Sequence, residues 1–219
     1  FSGGALVALL MAAAASAQAA PITFLTTWRV SSFVSSEYQG KILPSPGSNV
    51  LAAFELIDNG RLADVSANDI SWFLNGKKFS GGTGKKSAAF AVPKLFREEQ
   101  LEIKALVKQY KGANYETFMT IPVVSAEAAI AAPYPKSQVT NGLYAFAPLF
   151  YFWNVNSPDD LLLEWTARDQ TVKGLGGRDI LQLSIPAAAR QTTLTLTLSA
   201  NNPDNEYEFA RGSVDLLVQ

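Results

Sequence analysis

Few side chains in this sequence can do chemistry, because cysteine and histidine are both absent. Zinc centres of the usual Cys/His kinds, thiol nucleophiles, Ser–His–Asp triads and imidazole proton relays are therefore excluded. Paired carboxylates remain the one catalytic option, of the kind that flank a glycosidic bond. Glu55 and Glu164 stand on strand-like segments, but nothing in the sequence brings any two acids to a working distance. The run Gly81-Gly82-Thr83-Gly84 lacks the following helix and the Lys-Ser/Thr pair of a phosphate cradle. No catalytic residue, no cofactor and no metal ligand set is expected.

Binding offers three candidates. Lys77, Lys78, Lys85 and Lys86 flank the Gly81–Gly84 turn with Phe79 among them, a basic tip suited to an anionic polymer or lipid head group. Lysines also keep a sheet edge soluble and unpaired, which is the plainer use. Tyr144, Phe146, Phe150, Tyr151, Phe152 and Trp153 crowd one strand region. Successive strand residues face opposite ways, so exposed Tyr151 and Trp153 would stack on sugar rings or bury an interface between modules or with a protein, while buried ones would serve packing. Acidic loops at Asp58-Asn59-Gly60 with Asp64, at Asp159-Asp160 and over 201–206 have oxygen ligands for calcium. None fits an EF-hand, and Asx turns do without metal.

These groups need a scaffold. The chain has 219 residues, 48% hydrophobic and 17% charged, with a formal net charge of −1. Such a balance gives no electrostatic footprint for nucleic acid. Residues 20–124 sum to +3 and 125–219 to −4, a contrast compatible with head-to-tail packing or with ordinary surface variation.

Residues 1–20 are uncharged, with an apolar stretch from Ala5 to Ala15 and the small-residue pattern Ala17-Gln18-Ala19. This reads as a signal peptide over 1–19 with cleavage before Ala20, incomplete at its start because the basic region and initiator Met are missing. The alanine-rich run is weakly hydrophobic for a membrane anchor. A lipoprotein needs a cysteine, and a pilin-like helix needs an early acid that is missing here. An exported chain with no stable membrane span after processing is expected.

Self-similarity at an offset of 93 divides the remainder. Trp72 falls on Trp165, Gly81 on Gly174, Gly84 on Gly177, Val92 on Ile185 and Pro93 on Pro186. Leu101, Ile103 and Ala105 fall on Leu194, Leu196 and Leu198 without a gap. Apolar residues alternate, as in Val50, Ala52, Phe54 and Leu56, and Asn75-Gly76 marks a hairpin. Many short strands punctuated by turns, repeated once, predict an all-β chain of two tandem antiparallel β-sandwiches over 22–124 and 125–219. Ile22–Asn49, before the shared register, is longer than its counterpart Ala126–Gly142, and the excess is expected to add an edge strand. No flexible linker separates the copies near Ser125, so a stiff connection is expected.

The stretch Ile70-Ser71-Trp72-Phe73-Leu74-Asn75-Gly76, the glycine turn and Phe90-Ala91-Val92-Pro93 resemble the central hairpin of bacterial immunoglobulin-like, PKD-like and fibronectin-type modules. That resemblance implies that Trp72 and Trp165 pack between sheets. It also implies that Ala105 and Leu198 fill the volume of the absent disulfide, and that the chain is a surface or extracellular scaffold. The reading is a noncatalytic exported module pair contacting a protein or a cell-envelope polymer. Two alternatives stay open: a carbohydrate-binding accessory module using the aromatic strand, and a filament subunit donating Thr23–Val30 to a neighbour's sheet.

Overall fold

Alternating apolar residues need two sheets to bury them, and the computed structural model supplies two such pairs of sheets in succession. It describes residues 22–96, 99–132, 134–168, 170–172, 180–186 and 192–219. The expected signal segment, Gly174 and Gly177 lie outside the described residues.

The first sandwich comprises β1 (Thr23–Val30), β2 (Asn49–Asp58), β3 (Arg61–Leu62), β4 (Asp69–Leu74), β5 (Lys77–Thr83), β6 (Ser87–Ala91), β7 (Gln100–Tyr110) and β8 (Ala113–Pro122). In one sheet β2 pairs with β1, β6 and the short β3, while the other runs β5-β4-β7-β8. The second comprises β9 (Glu127–Ala131), β10 (Gln138–Val139), β11 (Gly142–Tyr151), β12 (Leu162–Ala167), β13 (Gln170–Val172), β14 (Leu181–Ile185), β15 (Thr192–Asn201) and β16 (Phe209–Val218). Its sheets run β14-β11-β9 and β10-β16-β15-β12-β13. The repeat is preserved residue for residue in two strands: Asn49–Asp58 maps onto Gly142–Tyr151, and Asp69–Leu74 onto Leu162–Ala167. In both copies the strand order is that of an immunoglobulin-like sandwich. The chain is all-β, built as a tandem pair of these modules.

Each core is centred on its tryptophan. Trp72 is fully buried opposite Ala105 on β7 and stacks at a tilt on Phe54, 5.6 Å between ring centres. Trp165 is 5% exposed opposite Leu198 on β15. Ala105 and Leu198 are themselves buried, so aliphatic contact fills the place between the sheets. One such ring removes roughly 200 Å² from water, worth about 5 kcal/mol before entropy is subtracted.

Hairpins follow from local conformation. Asn59-Gly60, Asn75-Gly76 and Lys111-Gly112 all have positive φ at both residues, the left-handed pair whose twist matches the flanking strands. The glycine run at 81–84 departs from expectation: Gly81 and Gly82 lie inside β5, and the chain turns only after Thr83. A Cβ at Gly81 would sit 2.7 Å from the Ile70 carbonyl, so glycine is needed there for close approach to β4.

The longer leading segment adds no strand, because β1 pairs with β2 as β9 pairs with β11; the excess lies after Val30. β1 pairs with β2 from Thr23↔Ile57 to Val30↔Val50. The chain then leaves the first sandwich, and Phe33 packs into the core of the second before β2 begins.

Candidate functional site: the joint between the sandwiches

Residues 31–48 form a strap across the joint. Phe33 makes an antiparallel bridge with Trp153, its N–H donating to the Trp153 carbonyl at 2.6 Å and its carbonyl accepting from Trp153 N–H at 3.1 Å. Two residues on, Ser35 N–H donates to the Phe150 carbonyl at 2.8 Å, and Ser35 Oγ accepts from Phe150 N–H at 2.9 Å. Tyr38 then lies edge-on to Phe152, 5.3 Å between ring centres, and tilted against Tyr151 at 5.9 Å.

A buried polar network continues the strap. Ser45 Oγ donates to Glu208 Oε1 at 3.3 Å, and the same oxygen accepts from Asn154 N–H at 2.7 Å. Glu208 Oε2 accepts from Asn202 Nδ2 at 2.6 Å. Behind Ser45, the hydroxyls of Ser48 and Ser32 extend the chain in steps of 3.0 Å. Glu208 is 5% exposed and Ser45 and Ser48 are fully buried. Among the described residues every buried polar side chain except Ser71 belongs to this joint. Directional bonds in a low-dielectric setting fix an angle between two bodies, which sliding apolar surfaces do not. Two contacts frame the network: Val124 N–H donates to the Pro44 carbonyl at 3.0 Å, and Lys94 Nζ to the Asp204 carbonyl at 3.1 Å.

The sequence-predicted contact residues are placed as follows. Trp153 is a core residue with no exposed surface, edge-on to Phe150 at 6.2 Å and donating Nε1–H to the Glu127 carbonyl at 2.7 Å. This is the packing alternative: Trp153 fills the second core and Tyr151 lies against Tyr38 of the strap. The cause is Phe152, whose φ of 62° ends the alternation after Tyr151 and turns Trp153 inward. The repeat places Phe152 where the first copy has Asn59, also left-handed at φ 50°. Tyr151 is half-buried beneath Tyr38. A sugar-stacking surface on this strand therefore fails.

The four lysines of the basic tip spring from both ends of β5. Lys77 and Lys78 stand at the start of β5 and Lys85 and Lys86 beyond its end, roughly 20 Å of extended chain apart. Lys77, Lys78 and Lys85 are exposed, while Lys86 is half-buried and bonds both carboxylate oxygens of Glu55 at 2.7–2.8 Å. Lys86 is drawn away to Glu55, while the Lys78 chain folds back over Gly81 and the Lys85 chain lies beside Gly82.

Trp72 and Trp165 occupy the two cores. Glu55 and Glu164 lie in different sandwiches, on β2 and β12. Of the acidic loops, Asp58 is held chiefly by Lys111 and then by Tyr110, which keep its carboxyl below its ordinary range. Asp160 accepts N–H bonds from Asn156 and Ser157 in a capped turn. Among the described residues no three acids gather in a metal-ligand group. None of their helices is long and apolar enough to cross a membrane.

Sequence reasoning missed Phe33, Ser45, Ser48 and Glu208. The extra length of the first copy's leading segment was the available signal.

No family model and no curated protein matches the sequence. Among solved structures the chain is similar to fibronectin(III)-like modules of Clostridium thermocellum CbhA, at 12% identity and a TM-score of 0.31, over 89% of this chain and 94% of that one. It is also similar to a chimeric titin Z1Z2 at 13% identity and a TM-score of 0.35, over 92% and 98% of the two chains. A bacterial ice-binding adhesin gives 9% identity and a TM-score of 0.33, over 92% and 66%. Superpositions this loose transfer no residue role to the present chain.

Proposed function

We propose that this chain is a noncatalytic, exported spacer and contact module, acting at a cell surface or outside the cell, that holds two sandwiches at a fixed angle. Its surfaces are sheet edges and faces, and its partner is a protein. The observation that supports this reading best is the strap of residues 31–48, which belongs by sequence to the first copy yet pairs with β11 and Trp153 of the second. A strap anchored in both bodies removes the freedom a linker would allow. The export step rests on the signal-like segment 1–19 and its Ala17-Gln18-Ala19 pattern.

The chain contains no cysteine, so paired spin labels at Thr120→Cys and Thr193→Cys, one exposed site in each sandwich, report the joint alone. A single narrow distance distribution is expected, broadened by Glu208→Ala. A broad distribution in the otherwise unaltered chain would refute the fixed-angle spacer.

A further inference from the structure

β1 has an open edge. The Ser31 N–H donates to the Asn49 carbonyl at 3.3 Å, and the Phe54 N–H turns away from β1 to the Lys86 carbonyl at 3.1 Å. In the antiparallel register of β1 and β2, these bonds assign the inward groups to Thr23, Leu25, Thr27 and Arg29. The N–H and C=O groups of Phe24, Thr26, Trp28 and Val30 therefore point away from β2, and no described residue bonds to them.

Edges elsewhere in the chain are blunted in recognised ways. β5 begins with Lys77-Lys78 and faces a bulge at Trp72/Phe73. β6, β9 and β14 are five residues long and β10 only two. β8, the other long edge of the first sandwich, carries Glu116 at its middle and ends at Pro122. β1 runs eight residues without proline or bulge, bears the single charge of Arg29, and exposes Leu25 by 61%.

We propose that β1 pairs antiparallel with the β1 of a second copy of this chain, across a two-fold axis through Thr27. This rests on the contact-module reading and names its partner. In that register Phe24 lies opposite Val30 of the other copy and Thr26 opposite Trp28, so every open group of both strands finds a partner. The strand's side chains suit a second copy: Arg29 meets Leu25, whose exposed side chain covers the arginine stem, and Trp28, with the Lys41 ammonium 3.5 Å over its ring, meets the uncharged Thr26. The interface is isologous and closed, and it joins two four-stranded sheets into one continuous sheet.

The test is sedimentation of the purified chain over a concentration series. The unaltered chain is expected to show a monomer–dimer equilibrium. Thr26→Pro removes an outward N–H that the fold does not use, and it should abolish the dimer while leaving the circular dichroism unchanged. Thr27→Lys and Thr27→Glu each place like charges face to face on the axis, so each alone should be monomeric, whereas their equimolar mixture should regain the dimer. A chain monomeric at every soluble concentration overturns the proposal, as do lysine and glutamate variants that each dimerise like the parent. Rigid monomers would sink the edge pairing and leave the spacer standing, and dimers with a mobile joint would do the reverse.

Discussion

Ser45 and Glu208, separated by 163 positions in the chain, meet through a hydrogen bond of 3.3 Å between the strap and the last loop of the second sandwich. Their contact makes the joint part of the fold. Glu208→Ala leaves the Asn154 N–H without its acceptor and the Asn202 amide with only the Asn154 carbonyl at 3.5 Å, a loss of about 1–3 kcal/mol for buried groups. Calorimetry should show one cooperative transition in the parent and two resolved transitions in the variant. A variant that still melts in one step would mean that the network does not couple the sandwiches.

The two central tryptophans should respond unequally to the same truncation. Trp72 Nε1–H donates to the Lys85 carbonyl at 2.9 Å, whereas Trp165 Nε1 has no partner among the described residues. Trp72→Phe loses volume and a hydrogen bond, and Trp165→Phe loses volume and no hydrogen bond to a described residue. Chemical denaturation should find the first more destabilising by about 0.5–1.5 kcal/mol. Equal losses would remove the indole bond from the account.

Gly212 on β16 lies against the backbone of β9, where a Cβ would sit 2.5 Å from the Ala128 carbonyl oxygen. Gly212→Ala should destabilise the second sandwich by about 1–3 kcal/mol through overpacking. Made in the Glu208→Ala background, where two transitions are expected, Gly212→Ala should shift the second sandwich's transition and leave the first unmoved.

Acid should act on the first sandwich through three carboxyls. Asp58 is held below its ordinary 3.8 chiefly by Lys111 and then Tyr110, Asp64 by the Ser66 N–H, and Asp69 by Lys108. A lowered folded pKa gives stability that is complete above 3.8 and disappears as pH falls through the lower folded values. Lys111 is raised above 10.5 by Asp58, so its share is complete below 10.5 and lost as pH rises through the higher folded value. Melting temperature against pH should therefore fall at both ends, and Asp58→Asn should flatten both limbs. An unchanged acid limb in that variant would place the acid sensitivity elsewhere.

By itself the sequence determined the class of fold, because period-two alternation and Asn-Gly turns are local signals that need no distant partner. The offset of 93 also identified corresponding residues, and Trp72 and Trp165 stand where that offset puts them because identical patterns bury identical faces. Only tertiary structure decided which surfaces remain open. One left-handed residue, Phe152, reversed the face of Trp153, and an ion pair with Glu55 engaged Lys86 alone among the four lysines near the β5 turn. The strap bonds residues as far apart as Ser35 and Phe150. Such bonds depend on where the chain crosses between bodies, a property that no local periodicity encodes.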